Sequence, residues 1–130
     1  MYFNIKKFTI YSISKFNKQG LTNEMKFNEI QQNNFIENIL FGIPHLDGIK
    51  MLNDNYILDG NKQLNCVLDF LNNKFKLQNN TIFSEYNECY FSDLPRHIQR
   101  KIEDIEFHIF IIYNCDSSEM ELINSIKNLD

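Results

Sequence analysis

Tyr56-Ile57-Leu58-Asp59-Gly60-Asn61-Lys62-Gln63-Leu64-Asn65 is the stretch on which the fold turns. Three apolar, strand-compatible residues run into Asp59-Gly60. Behind that pair, Leu64, Val67, Leu68 and Leu71 fall at i, i+3, i+4 and i+7. The hydrophobic pattern changes there from strand to helix, with no room for a loop between the two. Asn72-Asn73 closes the helix.

Upstream, Gly48-Ile49-Lys50-Met51 is a second strand-like run, and Leu52-Asn53-Asp54-Asn55 between them has turn chemistry, so a hairpin is expected. Before it, Ile30, Phe35, Ile36, Ile39 and Leu40 share one helical face, which predicts a helix over Asn28 to Phe41. Gly42 supplies a left-handed cap for it, and Pro44 forbids continuation. Asn17 to Asn23 reads as a loop, and the aromatic and β-branched run Tyr2 to Ile13 as one or two short strands. Downstream, Phe75-Lys76-Leu77 reads as a short strand and Gln78 to Glu88 as an Asn-rich loop. A third helix is expected from Ser92, as N-cap, to Lys101, with Pro95 in its first turn. Glu106 to Tyr113 alternates Phe107, Ile109 and Ile111 with His108, Phe110 and Ile112. Both faces are mostly apolar, as in a central strand. A last helix begins near Asp116, where Ser118 and Glu121 form a capping box and Met120, Ile123 and Ile126 follow. The expected class is α+β: a compact mixed sheet with about four helices, in one domain over residues 1–130.

Composition narrows the function. Of 130 residues, 43% are apolar and 23% charged, which excludes a disordered chain. There is no Trp or Ala, but 12 Phe, 18 Ile and 19 Asn, so the core is built from Phe, Ile and Leu and the connections are Asn-rich. A net charge of −4 argues against a dedicated duplex-binding domain, which carries a strong basic excess. No run approaches the roughly 18 apolar residues of a membrane span. Met1 to Lys7 lacks the order of a secretory signal, and Cys66, Cys89 and Cys115 are widely spaced and odd in number. Reduced thiols in a cytoplasm, or in a virion, are the expected setting.

The Asp59-Gly60 junction is the strongest candidate site. A strand that opens directly into a helix presents unpaired N–H groups and the positive end of the helix dipole, a natural phosphate site. Gly60 would let the backbone approach a ligand, Lys62 would add charge, and Asp59 could bind a metal ion or a sugar hydroxyl. A simpler reading is purely structural, with Asp59 as N-cap and Gly60 easing the turn, and Asp at a helix start is common. Elsewhere, Arg96, His97, Arg100 and Lys101 form a basic cluster that could touch a phosphate backbone. Glu103, Asp104 and Glu106 follow at once, as on a solvated helix face. His45, His97 and His108 have no metal-ligand spacing, and His108 alternates with core residues as a buried or edge histidine would. The cysteines read as small buried thiols.

The blocks Phe35 to Pro44, Ile57 to Leu64, Leu68 to Asn72, Tyr90 to Pro95 and the strand Phe107 to Tyr113 together show a resemblance. In order and spacing, from about Phe35 onward, they resemble the ParB/sulfiredoxin-like domain at the N-terminus of GmrSD-type modification-dependent restriction proteins. The likeness spans roughly three quarters of the chain. It implies a nucleotide site at the strand-to-helix junction, where the family has Asp-Gly-Gln-Gln-Arg-Leu-Thr and uses it in NTP hydrolysis coupled to DNA cleavage. Asp59, Gly60 and Leu64 match; Asn61, Lys62, Gln63 and Asn65 depart from it. Gln63 stands where the Arg should be, and a neutral amide cannot reproduce the Arg fork on phosphate oxygens. Lys62 restores a charge one helical position earlier, about 100° around the axis, so it is no equivalent. The family's Gln-Arg pair before the first long helix has only Glu29-Ile30 or Gln31-Gln32 for counterpart, and its Arg-Leu-Asn-Thr-Gly-type segment would begin where the chain reads Asn128-Leu129-Asp130.

The resemblance and its departures imply a retained scaffold with lost hydrolysis. The expected function is a catalytically degenerate binding or interaction protein with a protein partner, such as a decoy, inhibitor or structural component of a phage, virus or mobile element. The alternatives are a residual NTPase or nuclease and a DNA-binding module through Arg96, Arg100 and Lys101. The cofactor implied is a nucleotide with a divalent metal ion, held at Asp59, Gly60, Asn61, Lys62 and Gln63.

Overall fold

The computed structural model describes residues 2–15, 26–42, 46, 48–53 and 56–113. Two helices lie on either side of a hairpin, and the chain's first and last described strands pair with each other. In order, the elements are β1 (Tyr2–Thr9), α1 (Ile10–Ser14), α2 (Glu29–Phe41), β2 (Ile49–Leu52), β3 (Tyr56–Asp59), α3 (Asn61–Leu71), α4 (Arg96–Glu103) and β4 (Glu106–Tyr113). Two short 3-10 turns, Ser84–Tyr86 and Phe91–Asp93, lie between α3 and α4. The four strands form one mixed sheet in the order β1-β4-β2-β3. The class is α+β, a mixed four-stranded sheet with four helices, as expected from the sequence.

β4 is interior, as its two apolar faces require. It pairs antiparallel with β1 along its whole length, Tyr2 opposite Tyr113 and Thr9 opposite Glu106. On its other side it pairs parallel with β2, Ile49 opposite Ile109 and Leu52 opposite Ile112. Phe107, Ile109 and Ile111 face the main core with Ile49, Met51 and Ile57. Against them lie Ile10 and Ile13 of α1, Phe35, Ile36, Ile39 and Leu40 of α2, and Leu64, Val67 and Phe70 of α3. The opposite face of the sheet carries a second, smaller apolar cluster, Leu58 and Ile112 with Leu52, Tyr56 and Phe110 around them. His108 lies on this second face and is exposed rather than buried; it pairs with Lys7 of β1, and the pairing of β4 with β2 begins one residue later, at Ile109.

Helix α2 starts and stops where its sequence says. Asn28 accepts from the Gln31 N–H at 2.9 Å and the Gln31 side chain accepts from the Asn28 N–H at 3.0 Å, a reciprocal cap that satisfies two otherwise orphaned donors. Gly42 ends it at φ 94°, donating its N–H to Ile39 O at 3.0 Å.

Three boundaries differ from the sequence reading. Residues 10–14 are helix, not strand: Thr9 accepts from the Ser12 N–H at 3.0 Å, Ser12 accepts from the Thr9 N–H at 2.9 Å, and Ile10 and Ile13 enter the core three residues apart. A local cap overrides the β-preference of isoleucine. Phe75-Lys76-Leu77 is not a strand; only Leu77 is paired, exchanging backbone hydrogen bonds with Cys89 O and the Glu88 N–H. The third helix starts at Arg96 with Pro95 as its N-cap. Ser92 instead lies in a 3-10 turn closed by Asp93, which accepts from the Tyr90 N–H at 3.0 Å. The expected helix near Asp116 and the loop Asn17 to Asn23 lie outside the described residues, so α1 takes the fourth place that the C-terminal helix was expected to hold. No described helix is long and apolar enough to cross a membrane.

One residue joins sheet to helix without slack. Gly60 has φ 93°, and a Cβ there would stand 2.7 Å from Ile49 Cγ1 and 3.2 Å from Ile49 Cα on the neighbouring strand. A left-handed backbone and a near-contact with main chain are each costly for any other residue, about 1–3 kcal/mol apiece. Gly60→Ala is therefore expected to destabilise the protein by roughly 2 kcal/mol or more. Urea unfolding followed by circular dichroism checks this, with Gly42→Ala, whose Cβ meets nothing within 4 Å, losing less.

Candidate functional site

Strand β3 does not deliver Asp59 by simple alternation. Met51 faces Ile57, but Lys50 faces Asp59, so β3 spends one extra residue, Leu58, against a single step of β2. Such a bulge re-aims the side chain beyond it. Leu58 turns into the second apolar cluster, 4% exposed, and the Asp59 carboxylate meets the Lys50 ammonium, Oδ2 to Nζ at 3.1 Å. Both side chains are partly open to solvent, 30% and 44%, so the pair contributes at most about 1 kcal/mol to stability. Its effect is on availability. Asp59 Oδ1 accepts from the Gly60 N–H at 2.8 Å, which leaves each carboxylate oxygen with a partner.

The helix cap differs from the simple expectation. Gly60, not Asp59, is the N-cap of α3, and no side chain hydrogen-bonds to the first-turn amides. The first intrahelical bond runs from the Leu64 N–H to Gly60 O at 3.1 Å, so the amides of Asn61, Lys62 and Gln63 form the open positive end of an eleven-residue helix. Lys62 is exposed beside them. Asn61 is 4% exposed, and among the described residues Asn61 Oδ1 and Gln63 Oε1 are buried without a hydrogen-bond partner. A buried carbonyl oxygen without a donor costs about 1–3 kcal/mol, so each is a place where a donor would be gained cheaply.

The structure thus brings Asp59, Gly60, Asn61, Lys62 and Gln63 onto one junction and adds Lys50, which the sequence reading placed in the hairpin without a role. Regular pairing from Met51–Ile57 would have set Leu58 opposite Lys50; only the bulge reveals the true neighbour. The phosphates of a nucleotide suit the residues present, since the uncapped helix start and the two lysines both favour anions. For a divalent metal ion the junction offers the Asp59 carboxylate alone, and no group of three or more His, Cys, Asp or Glu side chains that could hold a metal occurs among the described residues, so an ion there would take its other ligands from the phosphates and water.

The other candidates are less available. Arg96 is held by Glu103 at 2.7 Å and by Gln99 at 3.0 Å, whereas Arg100 and Lys101 stand exposed in the last turn of α4. His97 is exposed on the same helix; His45 and Cys115 lie outside the described residues. Cys89 is half-buried. Cys66 is buried in α3, its thiol against Gln32 O at 3.7 Å, and burial together with the Asp69 charge pushes its pKa up to about 12.

Two outcomes follow for Cys66. In the native protein it should resist alkylation at pH 8 and label only on unfolding, read by mass spectrometry of the modified peptide. Its folded pKa lies above the unfolded value of 9.0, so its contribution to stability is complete below pH 9 and is lost as pH rises from there towards 12. Stability measured by urea unfolding should fall across that window, and Cys66→Ser should flatten the fall.

No protein-family model, curated protein or solved structure matches this chain.

Proposed function

We propose that this protein binds rather than catalyses: a ParB/sulfiredoxin-like scaffold that takes a nucleoside phosphate at the start of α3 without turning it over, and works through a protein partner. The observation that carries the reading is the double engagement of Asp59. One oxygen is taken by the Gly60 N–H and the other by Lys50, so the single acidic group of the motif is tied into the fold. Both contacts hold the carboxylate against Lys50 and the backbone of its own turn. Binding asks less. The uncapped amides of Asn61, Lys62 and Gln63 favour phosphate oxygens, and Lys62 and the exposed part of Lys50 add positive charge. Gln63, in the place of the family's Arg, provides no charge for a transferring phosphoryl group.

The interaction role draws support from the outer strand β1, where Tyr2, Phe3 and Ile5 are each more than half exposed. Single apolar residues on a surface are ordinary, but three within four residues of an edge strand favour contact with another protein. The setting would be a host cytoplasm or a virion, with the protein acting as a decoy, inhibitor or structural component of a phage, virus or mobile element.

Equilibrium binding of ATP, GTP and CTP to the purified chain, with phosphate release followed in parallel, tests the reading. Binding should weaken with salt and fall by about tenfold in Lys62→Gln. Asp59→Ala should leave binding within a few-fold of wild type, with no phosphate release from either protein. Turnover by the wild type that disappears in Asp59→Ala would establish a residual NTPase instead.

A further inference from the structure

A second site lies at the far end of α3. A cleft of about 390 Å³ opens between Lys26 and the first turns of α2 on one side, and the last turn of α3 with the chain that follows it on the other. Its volume is within the range of small-molecule sites. Three ammonium groups line it, those of Lys26, Lys74 and Lys76, against two carboxylates, Glu29 and Asp69. In a chain of net charge −4, three lysines lining one cleft is not the default grouping.

The charges are arranged, not scattered. Asp69 is 13% exposed and holds Lys26 at 3.0 Å through Oδ2 and Lys74 at 3.7 Å through Oδ1. Two ammoniums share that one carboxylate, with the Glu29 carboxylate in the same lining. Lys76 is paired with Glu88 just outside the lining, so the group as a whole balances three ammoniums with three carboxylates. The walls are tied: Asn33 Oδ1 accepts from the Gln78 N–H, the Lys74 N–H bonds Asp69 O at 2.9 Å, and Phe75 packs on the core residue Phe70 at 5.3 Å between ring centroids. Tyr90 adds a second, 40% exposed ring to the lining.

We propose that this cleft binds a phosphate monoester, its phosphoryl group between Lys26 and Lys74 and the attached group against Phe75 and Tyr90. Lysine acts on phosphate as a point charge reached from any direction, whereas a planar carboxylate is best met by the arginine fork, and no arginine lines the cleft. The volume exceeds what a bare phosphate needs. The two rings suit a nucleoside, and the amides of Gln32 and Gln78 suit the hydroxyls of a sugar.

Titration of the full chain with inorganic phosphate, a nucleoside monophosphate and a hexose phosphate, followed by amide chemical shifts, tests this site separately from the one at the start of α3. The expected result is that both esters, or one of them, bind more tightly than inorganic phosphate, with shifts at residues 26–33 and 74–78. Tighter binding of the nucleoside ester assigns the attached group to ring stacking, and tighter binding of the hexose ester assigns it to the amides. Lys26→Gln with Lys74→Gln should weaken binding by about tenfold or more, and Lys74→Gln alone, at a well-exposed side chain, gives the same sign if the double variant folds poorly. Glu29→Gln should tighten binding by about two-fold, because it removes a like charge. Lys62→Gln, at the other site, should leave the shifts at residues 26–33 and 74–78 in place, whatever it does to binding at the start of α3. The proposal is overturned by absent shifts at residues 26–33 and 74–78, by shifts there that survive loss of Lys26 and Lys74, by esters that shift them no more tightly than inorganic phosphate, by weaker binding there in Glu29→Gln, or by loss of those shifts in Lys62→Gln.

Discussion

The ladder around β4 is the constraint on which the rest of the molecule depends. This strand takes β1 on one edge and β2 on the other, so it joins the first described residues of the chain to the last and ties the hairpin to both. Its inward side chains Phe107, Ile109 and Ile111 are almost fully buried, and burial of that kind contributes about 1.5–3 kcal/mol for each side chain. The helices gather on that face because it is where the apolar residues of both strand and helix can leave water together. α2 packs on α3 and α4, and α1 reaches α4.

The junction between β3 and α3 is set by the same sheet. β2 stands between β4 and β3, and Ile49 is pinned beside Ile109 at 1% exposure. Gly60 must pass that side chain with no Cβ of its own, and its left-handed backbone turns the chain straight into α3. The bulge one residue earlier swings Asp59 onto Lys50. Packing, backbone geometry and electrostatics therefore meet within three residues, and the outcome is a helix start with open amides and an acid already engaged.

Much of this was legible in the residues. The period of Leu64, Val67, Leu68 and Leu71, the stop at Gly42, and the two-faced apolar run of β4 each rest on local chemistry that a sequence displays directly. Where the reading missed, a contact with something distant or a short cap had intervened. Ile10 and Ile13 look like strand residues until Thr9 and Ser12 cap each other. Ser92 looks like an N-cap, but its N–H donates to Asn73 Oδ1 at 3.0 Å, nineteen residues away. The alternation of His108 with core residues suggested burial, yet its face of the sheet is open at that row.

By itself, the sequence determined the class of fold, the order of the main elements and the place of the Asp59-Gly60 junction, because hydrophobic period, caps and turn residues act over a few neighbours. Only the tertiary structure decided which groups meet there. Lys50 reaches Asp59 through a one-residue bulge, and Lys26 reaches Asp69 across 43 residues of chain. Neither pairing has a signature in local pattern, since register and helix packing are settled by which arrangement buries the most apolar surface, and the charged groups take the neighbours that this leaves them.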